Sequence, residues 1–86
     1  MHEEIKGTVD RRLATIEGHV KALRKMVAED TECEKILTQL SAVESSINSV
    51  GKLYLKHHLN HCVKEGIENG DADILDKFTK VLEKYL

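Results

Sequence analysis

The 86-residue chain has no tryptophan and no proline, and one phenylalanine and two tyrosines are its only aromatic side chains. Without proline, nothing in it forces a kink or a break in a helix. With apolar residues at helical spacing, this composition predicts an all-α fold. Scarce large side chains leave one small domain, residues 1–86, with a thin core, so oligomerisation is the expected source of further burial. No apolar run approaches the roughly 20 residues of a membrane span. The opening "MHEEIKG" lacks the apolar core of a signal peptide. A membrane is therefore not an expected partner. There are only two cysteines, Cys33 and Cys62. This usage fits a reducing cytoplasm, in which thiols act as ligands or nucleophiles and not as a structural disulfide. No glycine-rich phosphate loop, Ser/His/Asp set or zinc-finger spacing occurs. No general base stands beside either cysteine in sequence, so an enzyme such as a thiol transferase is not expected.

What the chain does have is an uneven charge. The net charge of −2 hides a basic first segment, with Lys6, Arg11, Arg12, Lys21, Arg24 and Lys25 against Asp10 and Glu17. From Met26 to Val50 the balance reverses. A basic segment on a mildly acidic protein is a candidate phosphate-binding face. Charge alone favours the plainer reading, a solvated helix surface.

Three helices are predicted. In the first, Val9, Leu13, Ile16, Val20, Leu23 and Val27 recur in steps of four and three, the pattern of a bundle seam. Thr8 is its expected cap, and Gly18 inside it costs about 1 kcal/mol relative to Ala. The second helix is expected over residues 32–65, with Thr31 and Glu34 as a capping box and Gly66 as its C′ residue. Its stripe runs Ile36, Leu40, Val43, Ile47, Val50 and Tyr54, widened by Leu37, Leu53, Leu55, Leu59 and Val63. Such a rod is about 50 Å long at 1.5 Å per residue. That is too long for a compact monomer of this size, so its excess should pack on another copy. After "GIENGDAD", capped by Asp71 or Asp73, a third helix carries Ile74, Phe78, Val81 and Tyr85, with Leu75, Leu82 and Leu86 alongside.

Three histidines and a cysteine crowd the stretch "HHLNHC". His58 and Cys62 are four apart and share one face of the second helix, good spacing for two ligands of one ion. His57 and His61 form a second pair rotated by about 100°, and only one pair can point at a given site. Cys33 starts the same helix, roughly 37 Å from His58 on a continuous rod. One chain cannot bring both to one ion. Two antiparallel copies could place Cys33 of one beside His58 and Cys62 of the other, giving two equivalent sites. Two thiolates and an imidazole form a soft three-coordinate set suited to Cu(I). Zn(II) would want a fourth ligand from water, His57 or His61. The residues alone weigh this equally against small buried cysteines and surface histidines.

"RRLATIEGHVKALRKMVAED", "CEKILTQLSAVESSINSV" and "HLNHCV" together resemble the copper-sensing repressors of the CsoR/RcnR family, over roughly residues 8 to 65. The resemblance implies a three-helix protomer with one long central helix, an antiparallel dimer and a flat dimer-of-dimers tetramer. It implies operator double-stranded DNA as partner, bound by basic residues without a helix-turn-helix and released by inducer. Cys33, His58 and Cys62 match the three ligand positions, and Cys-His-Cys is the Cu(I) pattern. Nickel and cobalt sensors usually replace the last Cys with His and add an N-terminal His. This chain has His2 but keeps Cys62, so nickel ranks low. Copper members commonly carry Tyr before the first Cys and a Glu in the third helix. Glu32 stands at the first position and no residue clearly matches the second. A persulfide-sensing branch works through two cysteines alone, which makes a Cys33–Cys62 intersubunit di- or polysulfide bridge the alternative. Arg11 and Arg12 match the family's DNA-binding start, Lys21, Arg24 and Lys25 extend it, and Lys52 and Lys56 are weaker candidates. A metal store that binds no DNA is a third possibility.

Overall fold

The computed structural model describes the backbone of residues 2–85, and within it the side chains of all but residues 2–4, 59, 60, 62 and 63. Expectations for Leu59, Val63 and Leu86, and for the His2 and Cys62 side chains, therefore lie outside the described residues. Three helices follow in order: α1 over His2–Ala28, α2 over Cys33–Glu68 and α3 over Ile74–Glu83. No strand occurs among the described residues, as the all-α reading expects. No helix among them is long and apolar enough to cross a membrane.

Two of the expected boundaries move outward. The first helix begins at His2, so Thr8 lies inside it and is not its cap. The segment 2–7 contains no proline, and Gly7 alone is too weak a breaker to end a helix. At its C-terminus the Thr31 amide donates to the Met26 carbonyl at 3.0 Å and the Asp30 amide to the Val27 carbonyl at 3.2 Å. These are the paired bonds of a Schellman stop, with Asp30 in the left-handed region at φ 55°. The cap position of α2 lies one residue beyond the expected one. The Glu32 carbonyl accepts from the Lys35 and Ile36 amides, at 3.0 and 3.2 Å, so Glu32 occupies the cap position and not Thr31.

The second helix ends at Glu68, not before Gly66. Asp71 N–H donates to the Gly66 carbonyl at 2.8 Å and Gly70 N–H to the Ile67 carbonyl at 3.1 Å. Gly70, at φ 74°, is therefore the C′ residue. Gly66 serves another purpose: a Cβ there would lie 2.6 Å from Ile74 Cγ1, so its bare backbone lets α3 approach. Gly51 does the same at the other end of that contact, where a Cβ would overlap the Tyr85 ring. These two contacts make α3 antiparallel to the second half of α2. Asp73 is the N-cap of α3 by position, without a side-chain cap bond. Asp71 Oδ1 instead accepts the Asp73 amide at 3.0 Å, and its Oδ2 lies 3.2 Å from Lys77 Nζ.

The chain divides into two compact units, Met1–Val50 and Gly51–Leu86, with the boundary inside α2. In the first, α1 and the start of α2 form an antiparallel hairpin. Its core is Ile16, Leu23, Val43 and Val50, with Val9, Met26 and Ile36 packed against it. These residues are only half of the expected seam. Leu13, Val20 and Val27 remain 47, 40 and 58% exposed, and Leu40 and Ile47 are 48 and 52% exposed. The four-three alternation is in fact two heptad stripes, and one partner helix covers only one of them. The uncovered stripes flank a shared groove of about 440 Å³, lined by Val20, Leu23, Arg24, Val27, Ile36, Leu40 and Val43. The flank on the other side of the seam is polar. There His19 Nε2 is hydrogen-bonded to Gln39 Oε1 at 2.6 Å, tying α1 to α2.

The two left-handed stops predict opposite mutational effects. Asp30→Gly removes Cβ strain and should raise stability by about 0.5–1 kcal/mol, net of the glycine's larger unfolded-state entropy. Gly70→Ala introduces that strain, with no compensating contact in reach, and should lower stability by about 1 kcal/mol. Thermal unfolding followed by circular dichroism checks both signs.

Candidate metal centre and nucleic-acid interface

Cys33 is the first residue of α2 and its thiol is free and exposed. It is therefore not the small buried apolar residue of the plainer reading. The chain emerges from the Schellman stop at Asp30 through Thr31 and Glu32. That short connection sets the thiol at the open start of the helix.

His58 lies in the Gly51–Leu86 unit and is half-buried. Its imidazole stacks on the Tyr54 ring, one helical turn earlier, with ring centroids 4.2 Å apart and an interplanar angle of 14°. The α2 backbone is helical through residue 62, so Cys62 follows His58 by one turn. His61 Nε2 lies 3.2 Å from Glu65 Oε2, which engages it on its own exposed face. His57 is exposed. The His57–His61 pair therefore turns away from the His58 face, as the rotation by one residue requires.

Among the described residues, no group of three His, Cys, Asp or Glu side chains is gathered for a metal ion. Cys33 belongs to the first compact unit and His58 to the second. The donor types nevertheless fit a soft ion, since imidazole and thiolate are the ligands that Cu(I) favours.

The five basic residues do not share one surface. Arg12 lines a cleft of about 420 Å³ on the polar flank, with Thr15, Ser45, Ser46 and Ser49 around it and Ile16 and Val50 at its floor. Arg24 lines the apolar groove on the other flank. Arg11 donates to the Thr8 hydroxyl at 3.4 Å, and Lys25 Nζ lies 3.9 Å from Glu29. Lys21 is exposed. Arg12 thus stands beside four hydroxyl groups, of which Thr15 donates to the Arg11 carbonyl at 3.1 Å and Ser46 to the Ala42 carbonyl at 2.9 Å.

Sequence reasoning passed over two features. Tyr54 reads as one more apolar residue of the α2 stripe, although its four-residue spacing to His58 signals a contact. His19 and Gln39 lie in different helices, so only the hairpin register joins them.

The sequence profile of the family described as metal-sensitive transcriptional repressors matches residues 6–84. The copper-sensing transcriptional repressor CsoR of Bacillus subtilis is 37% identical, over 87% of this chain and 82% of its own length. The crystal structure of the copper-sensing repressor CsoR with Cu(I) from Geobacillus thermodenitrificans superposes with a TM-score of 0.82 at 35% identity, covering 99% of this chain and 88% of that one. The nickel-responsive transcriptional regulator InrS superposes with a TM-score of 0.73 at 30% identity, covering 93% and 91%. The chain belongs to the metal-sensitive transcriptional repressors of the CsoR/RcnR family.

Proposed function

We propose that this protein is a cytoplasmic repressor that binds operator double-stranded DNA and leaves it when Cu(I) enters a site made by Cys33 of one copy with His58 and Cys62 of another. The whole chain, residues 1–86, acts as one sensing and DNA-binding domain. One observation carries the reading: an exposed thiol opens α2, while an imidazole and a second cysteine stand one turn apart in its other compact unit. Cys33 and His58 stand 25 residues apart along α2, so a second copy is the natural source of the missing donor. The uncovered apolar groove supports such a partner. Burying a Val, Leu or Ile side chain contributes about 1.5–3 kcal/mol, and the hairpin leaves several of them in water. Antiparallel dimers that pair again would form a homotetramer.

Cu(I) is a soft ion that accepts thiolates and imidazole at low coordination number. Cys33 closes the link between copies, and His58 and Cys62 receive it. His58 transmits the change through its second ring nitrogen. Arg11, Arg12, Lys21, Arg24 and Lys25 contact DNA phosphates, repeated four times in the tetramer. By linkage, inducer and DNA weaken each other's binding by one common factor, typically 5- to 150-fold.

The exposed Cys33 thiol also favours a second reading. Its thiolate could take the sulfane sulfur of an organic persulfide, releasing the organic thiolate. The partner's Cys62 would then attack the new Cys33 persulfide, forming a disulfide and expelling hydrosulfide.

Three measurements test these assignments. Reduced protein on a duplex selected for binding should release it on titration with Cu(I) and not with an organic persulfide; release by the persulfide alone would replace the copper reading with the thiol one. Arg12→Ala should weaken DNA binding and flatten the plot of log affinity against log salt, by about 0.9 for each phosphate that the side chain neutralises; unchanged affinity at moderate salt removes Arg12 from the interface. Leu40→Asp should shift the sedimenting species to lower mass while circular dichroism stays helical. An unaltered assembly places the copy-to-copy contact elsewhere.

A further inference from the structure

We propose that Tyr54 is a positioning residue for His58, clamping its imidazole by face-to-face stacking so that the ring nitrogens are presented in one orientation. This inference rests on the assignment of His58 as a ligand.

The geometry carries it. The two rings lie 4.2 Å apart and within 14° of parallel. The contact closes across one turn of α2, inside the Gly51–Leu86 unit. Half of the Tyr54 surface remains in water, and its ring contact is with His58. Stacking occupies one face of the imidazole, whereas metal bonds and hydrogen bonds form in the ring plane, at Nδ1 and Nε2. The clamp therefore restrains the ring without blocking either nitrogen. It acts on the torsion least restrained by the chain itself, because χ2 of histidine is broad and roughly two-fold. A ligand already turned to its bound orientation loses less freedom on binding. By spacing, Tyr54 also continues the uncovered stripe of Leu40 and Ile47.

The test uses the full-length reduced protein and compares wild type, Tyr54→Phe and Tyr54→Leu. Phenylalanine keeps the stacking face and leucine removes it, and both suit a half-exposed helical position. Side-chain NMR of the five histidines reads the clamp without metal. The His58 ring protons should carry a ring-current shift in wild type and Tyr54→Phe that disappears in Tyr54→Leu, while those of His2 and His19 stay in place. Competition against a chromophoric Cu(I) chelator should then show affinity about 2- to 10-fold lower for Tyr54→Leu, as expected of an aromatic pair, and unchanged for Tyr54→Phe. His58 resonances indifferent to Tyr54→Leu, or equal Cu(I) affinity in all three proteins, overturn the proposal. A wild-type protein that takes up no Cu(I) overturns the copper assignment instead, and the resonances alone then decide whether Tyr54 positions the ring.

Discussion

Everything in this fold follows from one mismatch: α1 and α2 each carry two apolar stripes, and a two-helix hairpin can dry only one. Ile16, Leu23, Val43 and Val50 meet along the seam. Leu13, Val20, Val27, Leu40 and Ile47 remain in contact with water. A domain this small cannot offset the entropy of ordering long helices with so few buried side chains. The exposed stripe is thus a thermodynamic deficit on one defined flank. The same mismatch separates apolar from polar surface, since Arg12 and its ring of hydroxyls occupy the opposite side of the seam.

The second compact unit solves a different problem. The helix α3 is short and has no fully buried residue, so it must sit close to α2 to gain anything from packing. Gly51 and Gly66 permit that approach beneath Tyr85 and Ile74. The helix segment between those glycines carries Tyr54 and His58. His58 thus stands on a length of helix whose two ends are braced by backbone-close contacts. Its own ring is braced by a stack.

The chain belongs to a metal-sensitive repressor family, and its Cys33 thiol is exposed. An exposed thiol has affinity for soft ions and for electrophilic sulfur. In the two readings proposed above, copper and persulfide would use the same pair of sulfur atoms, and the imidazole is the donor that distinguishes them.

The sequence alone determined that the chain is helical, that three helices exist, and that the soft donors sit at the two parts of one long helix. Heptad spacing and the lack of proline are local properties, legible without coordinates. Helix ends were not legible, because a stop depends on which residue takes up the left-handed conformation. Gly66 and Thr31 had suitable chemistry, but the stop fell at Gly70 and the cap at Glu32. The role of Gly66 became apparent only with Ile74 against it. Which stripe would be buried was also beyond the sequence, since both are equally apolar and the hairpin register chooses between them. That register is a tertiary fact. It decides that Arg12 and Arg24 line different grooves and that His19 meets Gln39, because side chains on separate helices acquire neighbours only when the helices pack.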